Sequence, residues 1–435
     1  MYPQMNIFRN LSVFALLVGL FFGFYLFLEY FGIKTTLIFS VVLATMPIWL
    51  PVSTFYMFFE KWVEFVQYQA DLKVPRITLE IILPQEIFKS PLAMELVLNQ
   101  LYQKASPDNH VQTYWEGKHP PTFSLELVST HGHVRFLINT QVKFKNIIEA
   151  QLYAQYPGVE VRELPIDYTA EIPKDGEGYF SHSFHYKLTK ADAYPIKTYI
   201  DYGLDKNPKE EEKTDPISVT LETLASLGRD EHMWVQILMK ANKSYDFKSG
   251  SLKKKDDWKG GVKAEIKKII DGAKKRGAST EDDERGGSTA LLDSERDAIK
   301  AMDRSLSKYA FDTKIQGTYL AKEEAFNGGR IGTLAAILRS SDDLARNQIG
   351  ITWDTNTAWP WWQDRKGRTT VRWKKEEIEN MKRRSYKERH KKDTGMVLTT
   401  EELATIFHLP GSVVTSGNVQ RVGSLRSEAP GNLPI

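Results

Sequence analysis

TFSLELVSTHGHVRFLIN, residues 122–139, decides how this chain is read. Apolar residues alternate with others through Phe123, Leu125 and Leu127, and again through Val134, Phe136 and Ile138. A period of two belongs to a strand with one buried face. Ser129-Thr130-His131-Gly132 separates the runs, so strands over 122–128 and 133–139 are expected to form a hairpin.

The surroundings extend this hairpin. Residues 76–83 alternate through Ile77, Leu79, Ile81 and Leu83. Ser90-Pro91 opens a helix, with serine as cap and proline at the first position, and Met94, Val97, Leu98 and Leu101 form its apolar stripe. A second helix over 142–156 turns Phe144, Ile147, Ile148 and Leu152 inward, Pro157-Gly158 ends it, and 159–164 reads as a strand. Strand, helix, strand, strand, helix, strand is the ferredoxin-like order, βαββαβ, here over 75–167. Residues 178–355 repeat it: a strand region at 184–202, a helix opened by Asp215-Pro216, strands at 232–240 and 313–321, a helix at 330–339 and a strand at 348–353. A long helical insertion, 241–310, interrupts this second module with a basic helix near 262–275. Another helix at 294–309 carries Ile299, Met302, Leu306 and Tyr309 on one side. The fold class is α+β, with two tandem ferredoxin-like modules.

Upstream, no charge stands between Arg9 and Glu29 or between Lys34 and Glu60. NLSVFALLVGLFFGFYLFL (10–28) and TTLIFSVVLATMPIWLPVSTFYMFF (35–59) both reach the roughly 18 residues of a membrane span. The Leu, Val and Phe residues of the first run favour insertion by roughly 4 to 8 kcal/mol. The apolar region of a signal peptide is shorter, about 7–15 residues. Residues 1–70 therefore predict a two-helix transmembrane hairpin, kinked at Pro47 and Pro51, followed by an interfacial helix with Trp62, Phe65 and Tyr68. Arg9 before the hairpin and Lys61, Lys73 and Arg76 after it place both ends inside the cell. A two-pass protein of the cytoplasmic membrane is expected, its body in the cytoplasm, which the absence of cysteine fits.

The whole chain, 435 residues with a net charge of +3, implies no partner by charge alone. Its cations concentrate in 248–276 and 365–392, and the latter holds 13 Lys or Arg against 4 acidic residues. It lies in a tryptophan-containing basic segment, 356–395, with Trp359, Trp361, Trp362 and Trp373 and with Trp353 just before it. Arg365, Lys366, Arg368, Arg372, Lys374, Lys375, Lys382, Arg383, Arg384, Lys387 and Arg389 are candidate contacts to nucleic-acid phosphates, with the indoles stacking on bases. The same mixture suits an anionic lipid surface. A solvated charged helix beside packed tryptophans has the same composition.

Catalytic motifs are missing from the sequence. Gly117-Lys118 is followed by His119 where a phosphate-binding loop needs Ser or Thr, and no HExxH, G-x-S-x-G or cysteine cluster occurs. No catalytic residue, cofactor or metal is expected. His131 and His133 would share a strand face within reach of a metal, and His182 and His185 have an HxxH spacing, but hydrogen-bonded or solvated histidines are the expectation for all four. Near the end, Thr399 caps a short helix and Glu402 closes a capping box within segment 396–435.

FSLELVSTHGHVRFLINT (123–140), KFKNIIEAQLYAQYPGVEV (143–161), SERDAIKAMDRSLSKYAFDTKIQGTYLA (294–321), VLTTEELATIFHLPG (397–411) and EAPGNLPI (428–435) together resemble the region ahead of the motor in membrane-anchored conjugation-type ATPases. These belong to the FtsK–HerA superfamily and serve type IV secretion systems. The resemblance implies that 396–435 leads to a motor, with Glu401, Glu402, Leu403, Ile406, Phe407 and His408 as candidate contacts. The motor itself is absent from this sequence. The implied role is a non-catalytic, oligomeric docking platform in a secretion- or conjugation-like machine, working with a separately encoded ATPase and the DNA it moves; the other reading of the absent motor is a truncated product. The alternatives are a membrane-tethered nucleic-acid binder using 365–392 and a structural membrane protein.

Overall fold

The computed structural model describes residues 30, 35–84, 89–205, 215–252, 254, 257–278, 291–355, 367–389 and 393–411. The chain divides into two units, Met1–Val66 and Gln67–Ile435. Helix α1, Thr35–Lys73, carries Pro47 and Pro51 inside it. Among the described residues no helix is long and apolar enough to cross a membrane. This removes the expected transmembrane hairpin and with it the two-pass assignment to the cytoplasmic membrane. Within the helix, Thr45 and Ser53 donate back to the Val41 and Leu50 carbonyls, at 2.8 and 3.0 Å. Residues 10–28, the first expected span, lie outside the described residues.

The second unit follows the local signals closely. Strand β1 is Arg76–Ile82, and helices α2, Leu92–Gln100, and α3, His110–Tyr114, follow. Strands β2, Phe123–Thr130, and β3, His133–Gln141, form the hairpin, with His131 at φ +54° and Gly132 at φ +83° in its turn. Helix α4, Lys145–Gln155, leads to β4, Glu160–Glu163, and β5 is Tyr179–Leu188. Asp215 caps α5, Pro216–Ala225, by accepting from the Ile217 amide, and β6, Glu231–Ala241, follows. The insertion holds α6, Trp258–Ala278, and α7, Asp293–Leu306. Ala298, Ala301, Met302 and Ser305 are the buried residues of α7, while Tyr309, expected inside, is half exposed. Strand β7 is Ala310–Lys322, helix α8 Gly329–Ala335, strand β8 Ile349–Asp354, helix α9 Arg368–Arg383, strand β9 Met396–Thr399 and helix α10 Thr400–Ile406.

The nine strands of the described residues form one antiparallel sheet in the order β4-β1-β3-β2-β6-β7-β5-β8, with β9 pairing β7. This is not the order of two tandem ferredoxin-like modules. A separate first module would leave β2 as an open edge, with its row of backbone donors and acceptors unpaired. Here β2 and β6 close on one another from Phe123↔Met239 to Thr130↔His232. Strand β9, from the segment expected to be a linker, pairs Ala310–Thr313 of β7.

One sheet face carries the main core. Leu79, Leu125, Leu127, Phe136, Ile138, Val235, Ile237, Ile315 and Tyr319 pack there with residues of α2, α4, α5, α8 and α10. Each large apolar side chain buried in this way contributes about 1.5–3 kcal/mol.

Candidate functional site

The opposite face has another character. The strand registers align Leu137, Glu126, Gln236, Gln316, His185 and Trp353 in one row across β3, β2, β6, β7, β5 and β8. Glu126, Gln236, Gln316 and His185 are each fully buried. Polar groups at such positions are costly unless hydrogen-bonded. Gln316 Nε2 donates to Gln236 Oε1 at 2.9 Å, and Gln236 Nε2 donates to the Tyr168 hydroxyl at 2.8 Å and the Met381 carbonyl at 2.9 Å. Glu126 accepts from Arg384 at 3.0 and 3.2 Å, and Asp167 holds the same guanidinium at 2.7 Å.

His185 closes the row. Its Nδ1 lies 2.8 Å from Asp393 and its Nε2 3.0 Å from Glu377, all three side chains being fully buried. Two carboxylates can both be satisfied only if both ring nitrogens carry protons. Burial opposes that charge, yet the bonds to Asp393 and Glu377 raise the His185 pKa above its ordinary value. Burial likewise works against ionised Asp393, but hydrogen bonds from His185 and Tyr386 hold its carboxyl down at about 2. The Tyr386 hydroxyl and the Arg389 amide donate to Asp393 at 2.5 and 2.8 Å. The Trp353 and Tyr386 rings flank His185 at 4.7 and 4.2 Å.

Helix α9 is the element held by this row. Glu377, Ile378 and Met381 point inward, and the two apolar residues pack with Val128, Leu137, Tyr168, Ile172, Trp234 and Leu320 in a second core. Gly176, at φ +70°, faces the Ile378 side chain so closely that a Cβ there would clash with it.

The helix divides the candidate cations into two sets. Arg384 and Arg389 are inward-facing counter-charges, with side chains 7% and 5% exposed; Arg389 pairs with Glu376 at 2.6 Å and with Glu377. Lys374 lies over the Phe180 ring at 4.4 Å, and Lys382 donates to the Ile172 carbonyl. Arg383 pairs with Glu379, and Lys387 with Glu376 at 3.2 Å. Arg368, Arg372 and Lys375, spaced i, i+4 and i+7, line one side of a shallow cleft of about 570 Å³ with Lys174, Asp175, Val371, Glu376 and Glu379. Arg365, Lys366, Trp359, Trp361 and Trp362 lie outside the described residues. Trp373 of α9 packs edge-on against Trp353 of β8, with ring centroids 5.4 Å apart.

The six candidate motor contacts are at most 5% exposed. Thr399 and Glu402 form the capping box that their spacing predicts. Glu402 also accepts from the Ile196 amide at 3.1 Å, and burial pushes its carboxyl up to about 7 in spite of these donors. Glu401 accepts from the Thr198 hydroxyl at 2.6 Å and pairs with Arg304 at 2.9 Å. Leu403, Ile406 and Phe407 belong to the main core, and His408 Nε2 lies 3.0 Å from Asp215. This segment anchors the body; its side chains are occupied internally.

A second cluster has no counterpart in the sequence spacing. Thr130 pairs with His232, which brings the His131 ring at the hairpin turn to 4.9 Å from the His232 ring. Glu171, ending the 3-10 turn Tyr168–Glu171, places Oε1 3.1 Å from His131 Nε2 and 3.9 Å from His232 Nε2. His133, the HxH companion, is exposed. His182 is buried without a hydrogen-bond partner among the described residues and forms no cluster with His185.

Fold and site together define an α+β protein built on one antiparallel sheet, with one apolar face and one polar face covered by a helix. A profile of the family described as a domain of unknown function, DUF8128, matches residues 106–421, and the chain belongs to that family. That description names no activity and does not link the chain to the FtsK–HerA superfamily. Among curated proteins nothing matches the chain.

Proposed function

We propose that this chain is a non-catalytic binding scaffold in which the sheet holds α9 so that its outer face meets a polyanion, nucleic acid being the class of ligand. The observation that carries this is the segregation of charge between α9 and the segment that follows it. Arg384 and Arg389 are neutralised inside, whereas Arg368, Arg372 and Lys375 form an outward stripe beside Lys174. Arg372 pairs with Glu376 at 3.7 Å and Lys375 with Asp175 at 3.5 Å, exposed pairs that a phosphate can replace, and together with Glu379 they moderate the field. About three phosphate contacts imply that log affinity falls with log salt at a slope of about 3. An ATPase partner rests on the resemblance alone, and the six side chains it singles out are buried.

Reversing all three outward charges, as Arg368→Glu, Arg372→Glu and Lys375→Glu, is expected to weaken duplex DNA binding by at least about tenfold, read by fluorescence anisotropy at low salt. The matched control reverses Lys259, Lys263 and Lys267, which are exposed on α6, and is expected to bind like the parent. Equal loss in both proteins would reduce the effect to net charge and sink the assignment to α9. Arg384 is unsuitable for this test, because its loss breaks the buried pair with Glu126.

A further inference from the structure

We propose that His131, Glu171 and His232 form a binding site for a divalent transition-metal ion of the zinc class. Their ligand atoms all lie within 4.8 Å of one another. Two imidazoles and a carboxylate are the donor set zinc accepts, with bonds of about 2.0–2.2 Å, so closure onto an ion draws these atoms together by about 1 Å. His131 sits in a turn and Glu171 ends a short 3-10 segment, with side chains 34% and 44% exposed, so both have room to move.

The second observation is His232 itself. The residue is 1% exposed, and its Nε2 has no hydrogen-bond partner among the described residues although it faces Glu171. A buried ring nitrogen left without a partner is unfavourable. A metal bond satisfies it without requiring a proton.

His131 sets a condition on loading. The Asp230 amide donates to its Nδ1 at 2.8 Å, so in the neutral ring Nε2 carries the proton and donates it to Glu171. An ion bound at Nε2 displaces that proton to Nδ1 or to solvent. A proton on Nδ1 would face the Asp230 amide, so loading requires that hydrogen bond to open. The exposed sides of His131 and Glu171 leave the remaining coordination positions to water.

The test uses the full chain without an affinity tag, stripped with chelator and titrated with Co²⁺ and then Zn²⁺. Stoichiometry is read by calorimetry and coordination by the visible spectrum of Co²⁺. A single equivalent is expected, with a tetrahedral or five-coordinate cobalt spectrum. Glu171→Gln and His232→Gln are each expected to weaken binding by at least about tenfold, and His133→Gln to leave it unchanged. Glu171 is partly exposed, so its variant keeps the test decisive if the buried His232 variant fails to fold. Absence of stoichiometric binding, binding that survives Glu171→Gln undiminished, or binding lost with His133→Gln overturns the proposal.

Discussion

Arg384→Met is expected to destabilise the folded chain by about 3–5 kcal/mol, the usual cost of removing one partner from a buried ion pair. The guanidinium meets both Glu126 oxygens, and Glu126 is fully buried in the centre of the sheet. Methionine fills much of the same volume but leaves that carboxylate with no direct ion-pair partner, Arg76 being only a more distant charge. Asp167, the other partner, suffers less, because its side chain is 31% exposed and it also accepts from the Thr169 amide and hydroxyl. The left-handed φ of +50° at residue 384 is common to both proteins and drops out of the comparison. Urea unfolding at neutral pH measures the loss. The double variant Arg384→Met, Glu126→Met should recover most of it, since replacing both charges by apolar groups removes the stranded carboxylate. A single variant within about 1 kcal/mol of the parent would show that Arg384 is a solvated cation after all, which is how composition alone reads it.

That contrast marks where the sequence is legible. The hairpin turn, the cap at Asp215 and the Thr399–Glu402 capping box are local, so period and side-chain chemistry disclose them. The joining of β2 to β6 is not local: an alternating strand looks the same whether its edge is open or paired. Alternation also hides the polar row. Glu126, Gln236, Gln316 and His185 stand where an antiparallel strand ordinarily faces water, and only the placement of α9 shows them to be covered. For the basic segment, a count of charges shows neither the phase of α9 nor where it ends, so it cannot separate Arg384, which turns inward just past the helix, from Arg372 and Lys375, which line the surface cleft. The cluster of His131, Glu171 and His232 comes from three distant segments: the β2–β6 pairing brings the two histidines together, and the 3-10 turn Tyr168–Glu171 adds the carboxylate.

His185→Gln is expected to cost about 3–5 kcal/mol near pH 6, and the size of the loss should depend on pH in a defined direction. Glutamine donates through its amide nitrogen only, so it cannot satisfy Glu377 and Asp393 from opposite sides of one residue as the imidazolium does. The pKa of His185 is raised in the folded chain above its ordinary 6.5. Its contribution is therefore fully present below 6.5 and is lost as pH rises through the folded value, because there the folded chain retains a proton that the unfolded chain has released. Asp393 acts at the other end. Its folded value of about 2, below the ordinary 3.8, gives stability that is present above 3.8 and lost as pH falls toward 2. The tie between α9 and the sheet should thus be strongest from about pH 4 to 6.5. Unfolding midpoints of parent and variant across pH 5 to about 9 decide the matter: the gap should narrow as pH rises. A constant gap would mean that the folded ring is neutral and that one carboxylate carries the proton instead. The same tie governs the proposed binding face, since the stripe of Arg368, Arg372 and Lys375 is carried by the helix that Glu377 anchors. Loosening it by substitution or by high pH should speed proteolysis within 367–389 before the rest of the sheet opens. Should cleavage begin elsewhere, α9 would be an integral part of the sheet's cooperative unit, and no weakening of its dock could be read as a separate event.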